Sequence, residues 1–102
     1  MKIIVQKYGG TSLSNEEKIL NVAKKIKASL IESYKLIVVV SAMGDSTDNL
    51  VKLGSEFLED QSNLENLRDF DQLLSTGEIV SASLMSLALR KIGVKSVSFS
   101  GS

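Results

Sequence analysis

Residues 36–40 constrain the fold more than any other part of the sequence, because they form a continuous apolar run that ends in three valines. A strand that is apolar on both faces is typical of a parallel sheet covered on both sides. A β-rich run over residues 2–8 precedes it, and apolar residues recur at helical spacing between the two runs. Strand, helix and strand in this order predict a βαβ unit with a right-handed crossover.

Three further segments carry local signals. Ser14 and Glu17 form a capping-box pattern at the start of the first helix. A second helix is predicted from about residue 47 to about residue 58, with one apolar face. The acidic segment 59–71 is expected to be a connecting loop or a short exposed helix.

The most apolar helix is predicted after this segment. Ser75 or Thr76 is expected to cap it, and Gly93 is placed to end it. Apolar side chains surround this helix on every side, so we expect it to be buried nearly all round. Residues 94–100 alternate apolar side chains with serines and predict a third strand.

Together these elements predict an α/β fold, namely a three-layer α/β/α sandwich on a mostly parallel sheet. The inward faces of adjacent layers should be buried. The residues expected in this core are Ile19, Val22, Ile26, Leu30, Val38, Val39, Met85, Leu87 and Leu89.

Composition excludes several classes of function. Twelve basic and twelve acidic side chains cancel, so the net charge indicates neither nucleic acid nor an anionic membrane as a partner. The chain has no Cys and no His, which removes disulfides, thiolate zinc sites and the commonest general base. No signal-peptide pattern opens the chain, and no apolar stretch reaches the ~20 residues that span a bilayer. Any metal would have to be a hard cation held by carboxylates or by nucleotide phosphate. A cytoplasmic enzyme is therefore expected.

The segment Lys7-Tyr8-Gly9-Gly10-Thr11-Ser12 follows the first predicted strand directly. Adjacent glycines let backbone N–H groups approach the oxygens of a ligand, and a lysine supplies a compact positive charge. This pattern is typical of phosphate binding at the carboxyl end of a strand. A tight turn without a ligand, followed by an ordinary surface lysine, is the structural alternative.

Two later segments support the phosphate interpretation. Residues 38–44 read Val-Val-Val-Ser-Ala-Met-Gly and lead to Thr47, and residues 73–78 read Leu-Leu-Ser-Thr-Gly-Glu. With the first segment, they resemble the aspartate kinase branch of the amino-acid kinase family. Its pattern runs Lys-Phe/Tyr-Gly-Gly-Thr-Ser, then Val-Val-Ser-Ala-Met with a nearby Thr, then Ser-Thr/His-Gly-Glu. The resemblance covers the chain from Lys2 to Ser102.

The resemblance implies phosphoryl transfer from ATP to the side-chain carboxylate of L-aspartate, giving 4-phospho-L-aspartate. Lys7 would be the catalytic residue, stabilising charge on the transferred phosphoryl group. The nucleotide would be bound by Lys7, Tyr8, Gly9 and Gly10. Aspartate would be bound by Ser41, Thr47 and Glu78. Mg²⁺ would be held through the nucleotide phosphates, and the enzyme would serve lysine, threonine and methionine biosynthesis, with a homo-oligomer as the expected assembly.

Two of these residues have structural explanations as well. Thr47 could cap the second helix. Glu78 is predicted in the first turn of the third helix, where the helix macrodipole favours a carboxylate. If Glu78 is buried, the macrodipole alone does not explain it, because a buried carboxylate needs a cationic partner such as the α-ammonium group of an amino acid. Lys24, Lys25 and Lys27 are expected to form a solvated face of the first helix.

On this interpretation, residues 1–102 are the N-terminal portion of an amino-acid kinase catalytic domain, without the ATP-binding second half and the ACT regulatory domains. The portion alone is expected to be inactive. A glutamate, acetylglutamate or uridylate kinase is the alternative enzyme, although the second and third segments argue against it. A non-catalytic folding or dimerisation module is the alternative from another class.

Overall fold

The computed structural model describes residues 2–99. The elements are, in chain order, strand β1 (Lys2–Tyr8), a 3₁₀ turn (Gly10–Leu13), helix α1 (Glu16–Ala28), strand β2 (Tyr34–Val40), helix α2 (Ser46–Ser55) and helix α3 (Leu64–Lys91). The predicted α/β class and the first βαβ unit are therefore confirmed.

The two strands pair in parallel, with a register that runs from Lys2 opposite Tyr34 to Tyr8 opposite Val40. Side chains alternate between the two faces of a strand. The face that carries Tyr8 and Val40 packs against α1 and α3. The opposite face is called the open sheet face below. Its large apolar residues are each 44–61% exposed, and they are Ile3, Val5, Ile37 and Val39. The described residues thus supply the sheet and the helices on one side of it.

The core lies between this covered face and the helices α1 and α3. It consists of Leu13, Ile19, Val22, Ala23, Ile26, Val40, Met85 and Leu89. The predicted burial of Ile19, Val22, Ile26, Met85 and Leu89 is confirmed, and Val38 is half-buried. The expectation was wrong for three residues. Val39 lies on the open sheet face, Leu30 lies beyond the end of α1, and Leu87 lies off the buried stripe of α3.

The helix starts differ from those expected, because asparagines provide the side-chain caps. Asn15 caps α1, and its Oδ1 accepts a 2.9 Å hydrogen bond from the backbone N–H of Lys18. Asn63 caps α3 in the same way, accepting a 3.0 Å bond from the backbone N–H of Asn66. Helix α2 ends at Ser55, before the expected residue 58, and buries none of its residues.

Helix α3 is much longer than predicted, since it begins at Leu64 rather than near Thr76. The hydroxyl groups of Ser75 and Thr76 do not cap it. Each donates a 2.7 Å hydrogen bond to the carbonyl three residues earlier, inside the helix. The predicted end is confirmed, because Gly93 adopts the left-handed region (φ +89°) and the N–H of Val94 bonds to the carbonyl of Leu89 at 2.9 Å.

One stripe of α3 is buried rather than its whole circumference. The stripe repeats every four residues through Gly77, Ser81, Met85 and Leu89. Ile79, Val80, Leu84 and Leu87 are 37–57% exposed. By length and composition alone α3 could also span a membrane, contrary to the expectation from the sequence, but core helices of soluble proteins meet the same criterion. Its buried stripe packs against α1 and β2.

The predicted third strand does not form over residues 94–99, and Ser100 lies outside the described residues. Side-chain hydrogen bonds hold the segment to α3 instead. Ser96 Oγ donates to the carbonyl of Ser86 at 2.9 Å, and Arg90 donates to the carbonyl of Ser96 at 3.0 Å. A cleft of about 810 Å³ separates the segment from the edge of β2.

Candidate functional site

The three segments singled out in the sequence meet at Ala42, which is 5% exposed. A Cβ atom placed on Gly10 would lie 2.9 Å from the carbonyl oxygen of Ala42. A Cβ atom placed on Gly77 would lie 2.8 Å from the Cβ atom of Ala42. An added Cβ atom would overlap at both positions, so glycine lets the loop after β1 and helix α3 pack directly against the loop after β2.

Backbone hydrogen bonds hold the first two loops together. The N–H of Ser41 donates to the carbonyl of Tyr8 at 3.1 Å, which extends the parallel pairing past β2. The N–H of Gly44 donates to the carbonyl of Gly10 at 2.9 Å. Gly44 has a positive φ of +46°, a conformation that glycine adopts at low cost. Parallel strands bring both loops to the carboxyl edge of the sheet, where ligands of open α/β folds bind.

Gly9 lies at the solvent-exposed surface of these two loops. It is exposed, and a Cβ atom on it would meet nothing within 4 Å. Gly10, in contrast, is packed against the second loop. The pair therefore combines an anchored residue with one whose backbone can be approached by a ligand.

Lys7 and Tyr8 precede these glycines and point to opposite sides of the sheet. Lys7 is exposed and shares the open sheet face with Val39, its partner across the strands. Tyr8 is half-buried on the covered face, where its hydroxyl donates a 3.0 Å hydrogen bond to Oε1 of Gln6. The Tyr8 side chain is thus engaged within the fold, and its carbonyl bonds to Ser41.

Ser41 and Thr47 are both exposed at the ends of the loop after β2. Thr47 is the second residue of α2 and does not cap it, since Asp45 occupies the N-cap position without a side-chain bond. Ser46 precedes Thr47, and a Cβ atom placed on Gly77 would lie 3.7 Å from its Oγ atom. Its Oγ atom is buried and has no hydrogen-bond partner within residues 2–99.

Glu78 follows Gly77 and differs from the expectation in two ways. It is exposed rather than buried, and it lies well inside α3 rather than in the first turn. Neither the macrodipole nor the cost of burial therefore explains a carboxylate here. The carboxylate is exposed, one residue along α3 from the Gly77 that contacts Ala42.

The structure thus brings the backbone of all three segments together at Ala42, with Ser41, Thr47 and Glu78 near this point in the chain. Sequence reasoning did not single out Ala42 and Gly77, because their contact joins residues far apart in the chain. The available signal was Gly77 itself, a poor helix former directly after the predicted start of the helix. Within the described part of the chain, no group of three or more His, Cys, Asp or Glu side chains is placed to hold a metal ion.

Comparisons with known proteins indicate the family of the chain. The sequence model of the amino acid kinase family matches residues 2–102. Aspartokinase 2 of Bacillus subtilis is 46% identical over 101 residues, or 99% of this chain, and the aspartokinase of Helicobacter pylori strain 26695 is 42% identical over 99 residues, or 97% of this chain. The crystal structure of aspartate kinase from Synechocystis superposes with a TM-score of 0.78 and 47% identity, covering 91% of this chain.

These relatives are much longer than the chain. It spans 24% of the length of either aspartokinase and 15% of the Synechocystis chain. The match is nevertheless continuous over the three segments that meet at Ala42. The chain belongs to the amino acid kinase family.

Proposed function

We propose that this chain is the N-terminal part of the catalytic domain of an aspartate kinase. The reaction transfers the γ-phosphoryl group of ATP to the side-chain carboxylate of L-aspartate. The bond between the γ-phosphorus and its bridging oxygen breaks, a bond to a carboxylate oxygen forms, and ADP leaves. The contact of three segments at Ala42 supports the proposal, because these segments carry the lysine, the glycine pair, the two hydroxyls and the carboxylate that the reaction would use.

The phosphate-binding role belongs to the end of β1 and the loop that follows. Gly9 leaves open space beside its backbone, which suits an N–H group that meets a phosphate oxygen. Lys7 would place its ammonium group against the transferred phosphoryl group and stabilise charge there. Gly10 and Tyr8 would contribute through the backbone, since the Tyr8 hydroxyl already bonds to Gln6.

Aspartate would be bound by Ser41, Thr47 and Glu78. Two hydroxyls can hydrogen-bond the substrate's carboxylates, and the carboxylate of Glu78 can pair with its α-ammonium group. All three side chains are exposed, so no rearrangement of the core is needed to reach them. These three side chains suit an amino-acid substrate, because its carboxylates can accept hydrogen bonds from the hydroxyls and its ammonium group can pair with Glu78.

ATP would carry Mg²⁺ on its phosphates, and within residues 2–99 no group of three or more carboxylates is placed to hold the ion by itself. The ion supplies positive charge to the phosphate oxygens during transfer. The remaining three quarters of the polypeptide would provide the adenine-binding half and the regulatory domains. The product would enter lysine, threonine and methionine biosynthesis in the cytoplasm, and the enzyme would be a homo-oligomer.

The test uses a complete enzyme, here a hybrid in which this chain replaces the matching quarter of Bacillus subtilis aspartokinase 2. We expect the hybrid to release ADP from Mg-ATP only when L-aspartate is present, and the 102-residue chain alone to release none. Glutamate, acetylglutamate and UMP serve as alternative acceptors. Preference for one of these would favour another enzyme of the family, and a folded hybrid without any turnover would favour a non-catalytic module.

A further inference from the structure

We propose that Gly77 and Ala42 form a positioning contact, which fixes helix α3 against the loop after β2 and thereby sets the place of Glu78 relative to Thr47. The inference rests on the proposed function, in which Glu78 and Thr47 bind the same aspartate molecule. Neither Gly77 nor Ala42 touches substrate in this proposal. Their role is to hold two binding residues from different elements at a fixed separation.

The distances leave no room for a side chain at residue 77. A Cβ atom there would lie 2.8 Å from the Cβ of Ala42, 3.8 Å from its Cα, and 3.7 Å from Oγ of Ser46. Two carbon atoms in contact are normally about 3.5–4.0 Å apart. The backbone fixes the position of a Cβ atom, so no side-chain rotation can relieve the overlap between these two buried residues.

The loop that carries Ala42 is held from the other side as well. A Cβ on Gly10 would lie 2.9 Å from the carbonyl oxygen of Ala42, and Gly44 bonds to Gly10 at 2.9 Å. Ala42 is therefore packed between two backbones. An added methyl group at residue 77 must move either α3, which carries Glu78, or the loop that leads to Thr47.

Glycine in a helix interior also needs an explanation, because it is the poorest helix former after proline. Gly77 lies far from both ends of α3 and has a negative φ. Its backbone conformation is open to alanine, so close approach to Ala42 is the feature that requires glycine.

The experiment places Gly77→Ala in the complete hybrid enzyme. We expect KM for aspartate to rise about tenfold or more, with KM for ATP changed by less than about twofold, because displacement by a fraction of an ångström disrupts substrate positioning. The partner substitution Ala42→Gly removes the colliding methyl group. The double variant Ala42→Gly/Gly77→Ala should recover KM for aspartate to within about threefold of the value for Ala42→Gly alone.

Gly54→Ala is the matched control, because it also adds a methyl group where α2 meets α3. Its Cβ would lie 2.7 Å from Phe70 and 3.0 Å from Leu73, whose side chains can rotate. We expect its KM for aspartate to be unchanged. A merely structural role for Gly77 would make the two variants alike in kinetics. Gly10→Ala is the negative control for the rescue. Its added methyl group would collide with the main-chain oxygen of Ala42, which Ala42→Gly leaves in place, so this substitution should not rescue it.

Crystal structures of the parent and variant enzymes give a readout that does not depend on turnover. We expect Gly77→Ala to change the separation between the Cα atoms of Glu78 and Thr47, and the double variant to restore it. An unchanged separation, a normal KM for aspartate, or a defect that Ala42→Gly does not relieve would each overturn the inference. If Gly77→Ala does not fold, the double variant should fold, and its failure would overturn the inference too. Absence of aspartate turnover in the parent hybrid would overturn the proposed function alone.

Discussion

The ammonium group of Lys27 donates a 2.7 Å hydrogen bond to the carbonyl oxygen of Ile92, across 65 positions of the sequence. Lys27 lies in the last turn of α1, and Ile92 is the C-cap residue of α3. The bond therefore ties the C-terminal ends of the two core helices together. It also places a positive charge at the end of α3, where the helix macrodipole is negative.

We predict that Lys27→Met lowers the free energy of unfolding of this chain by about 1 kcal/mol, because the apolar stem is kept while the charged donor is lost. Lys25→Met is the control, since Lys25 is an exposed lysine in the same last turn of α1. Urea unfolding of the two variants measures the difference. Equal stability of both variants would show that the bond contributes nothing to folding.

Lys7→Ala in the complete enzyme should lower kcat by about 10²–10⁴-fold, roughly 3–5 kcal/mol, with a smaller effect on aspartate affinity. The reason is that the ammonium group stabilises charge that develops during transfer. Arginine should rescue poorly, because its planar group does not reproduce a compact ammonium. Lys35→Ala, on the same sheet face at the start of β2, is the control. A near-normal kcat for Lys7→Ala would exclude the catalytic role.

Glu78→Gln should raise KM for aspartate strongly while leaving KM for ATP nearly unchanged. Glutamine keeps the shape of the side chain but removes the charge that pairs with the substrate ammonium group. Glu65→Gln is the control, because Glu65 lies in the first turn of the same helix. That change should cost only roughly 0.3–1 kcal/mol of stability through the macrodipole. Wild-type aspartate kinetics in Glu78→Gln would remove this residue from the substrate site.

The exposed Asp60 side chain gives a pH prediction. Ser62 lowers the pKa of this carboxyl group by donating from its hydroxyl at 2.6 Å and from its backbone N–H at 3.0 Å. Because the folded pKa is depressed, the contribution to stability is present above the unfolded pKa and is lost as pH falls through the folded pKa. Ser62→Ala should raise the pKa of Asp60 toward its ordinary value. An NMR titration of the carboxyl carbon measures it, and an unchanged midpoint would contradict the assignment.

Local chemistry made part of this fold predictable. The helical spacing of Ile19, Val22 and Ile26 indicated a buried face, and Gly93 indicated a helix end, because both signals depend on residues close in the chain. The start of α3 was missed because Ser75 and Thr76 also look like caps. Their hydroxyls bond within the helix instead, and Asn63 is the actual cap.

Burial was less predictable, because an apolar pattern does not say what covers a surface. Val39 and Leu87 are apolar at the expected spacing, yet the described residues leave them 44% and 57% exposed. We propose that the rest of the enzyme covers them, since the aspartokinase relatives are about four times as long as this chain. The contact of Gly77 with Ala42 was missed for a related reason, because no local pattern reports the distance between two separate elements.

The open sheet face has a consequence for how the protein is made. N-terminal residues leave the ribosome first, and β1 and β2 can pair once Val40 has emerged. The pair then presents Ile3, Val5, Ile37 and Val39 to solvent. An exposed apolar sheet with unpaired edges is prone to aggregate. The open sheet face is therefore a surface that a chaperone would protect during translation.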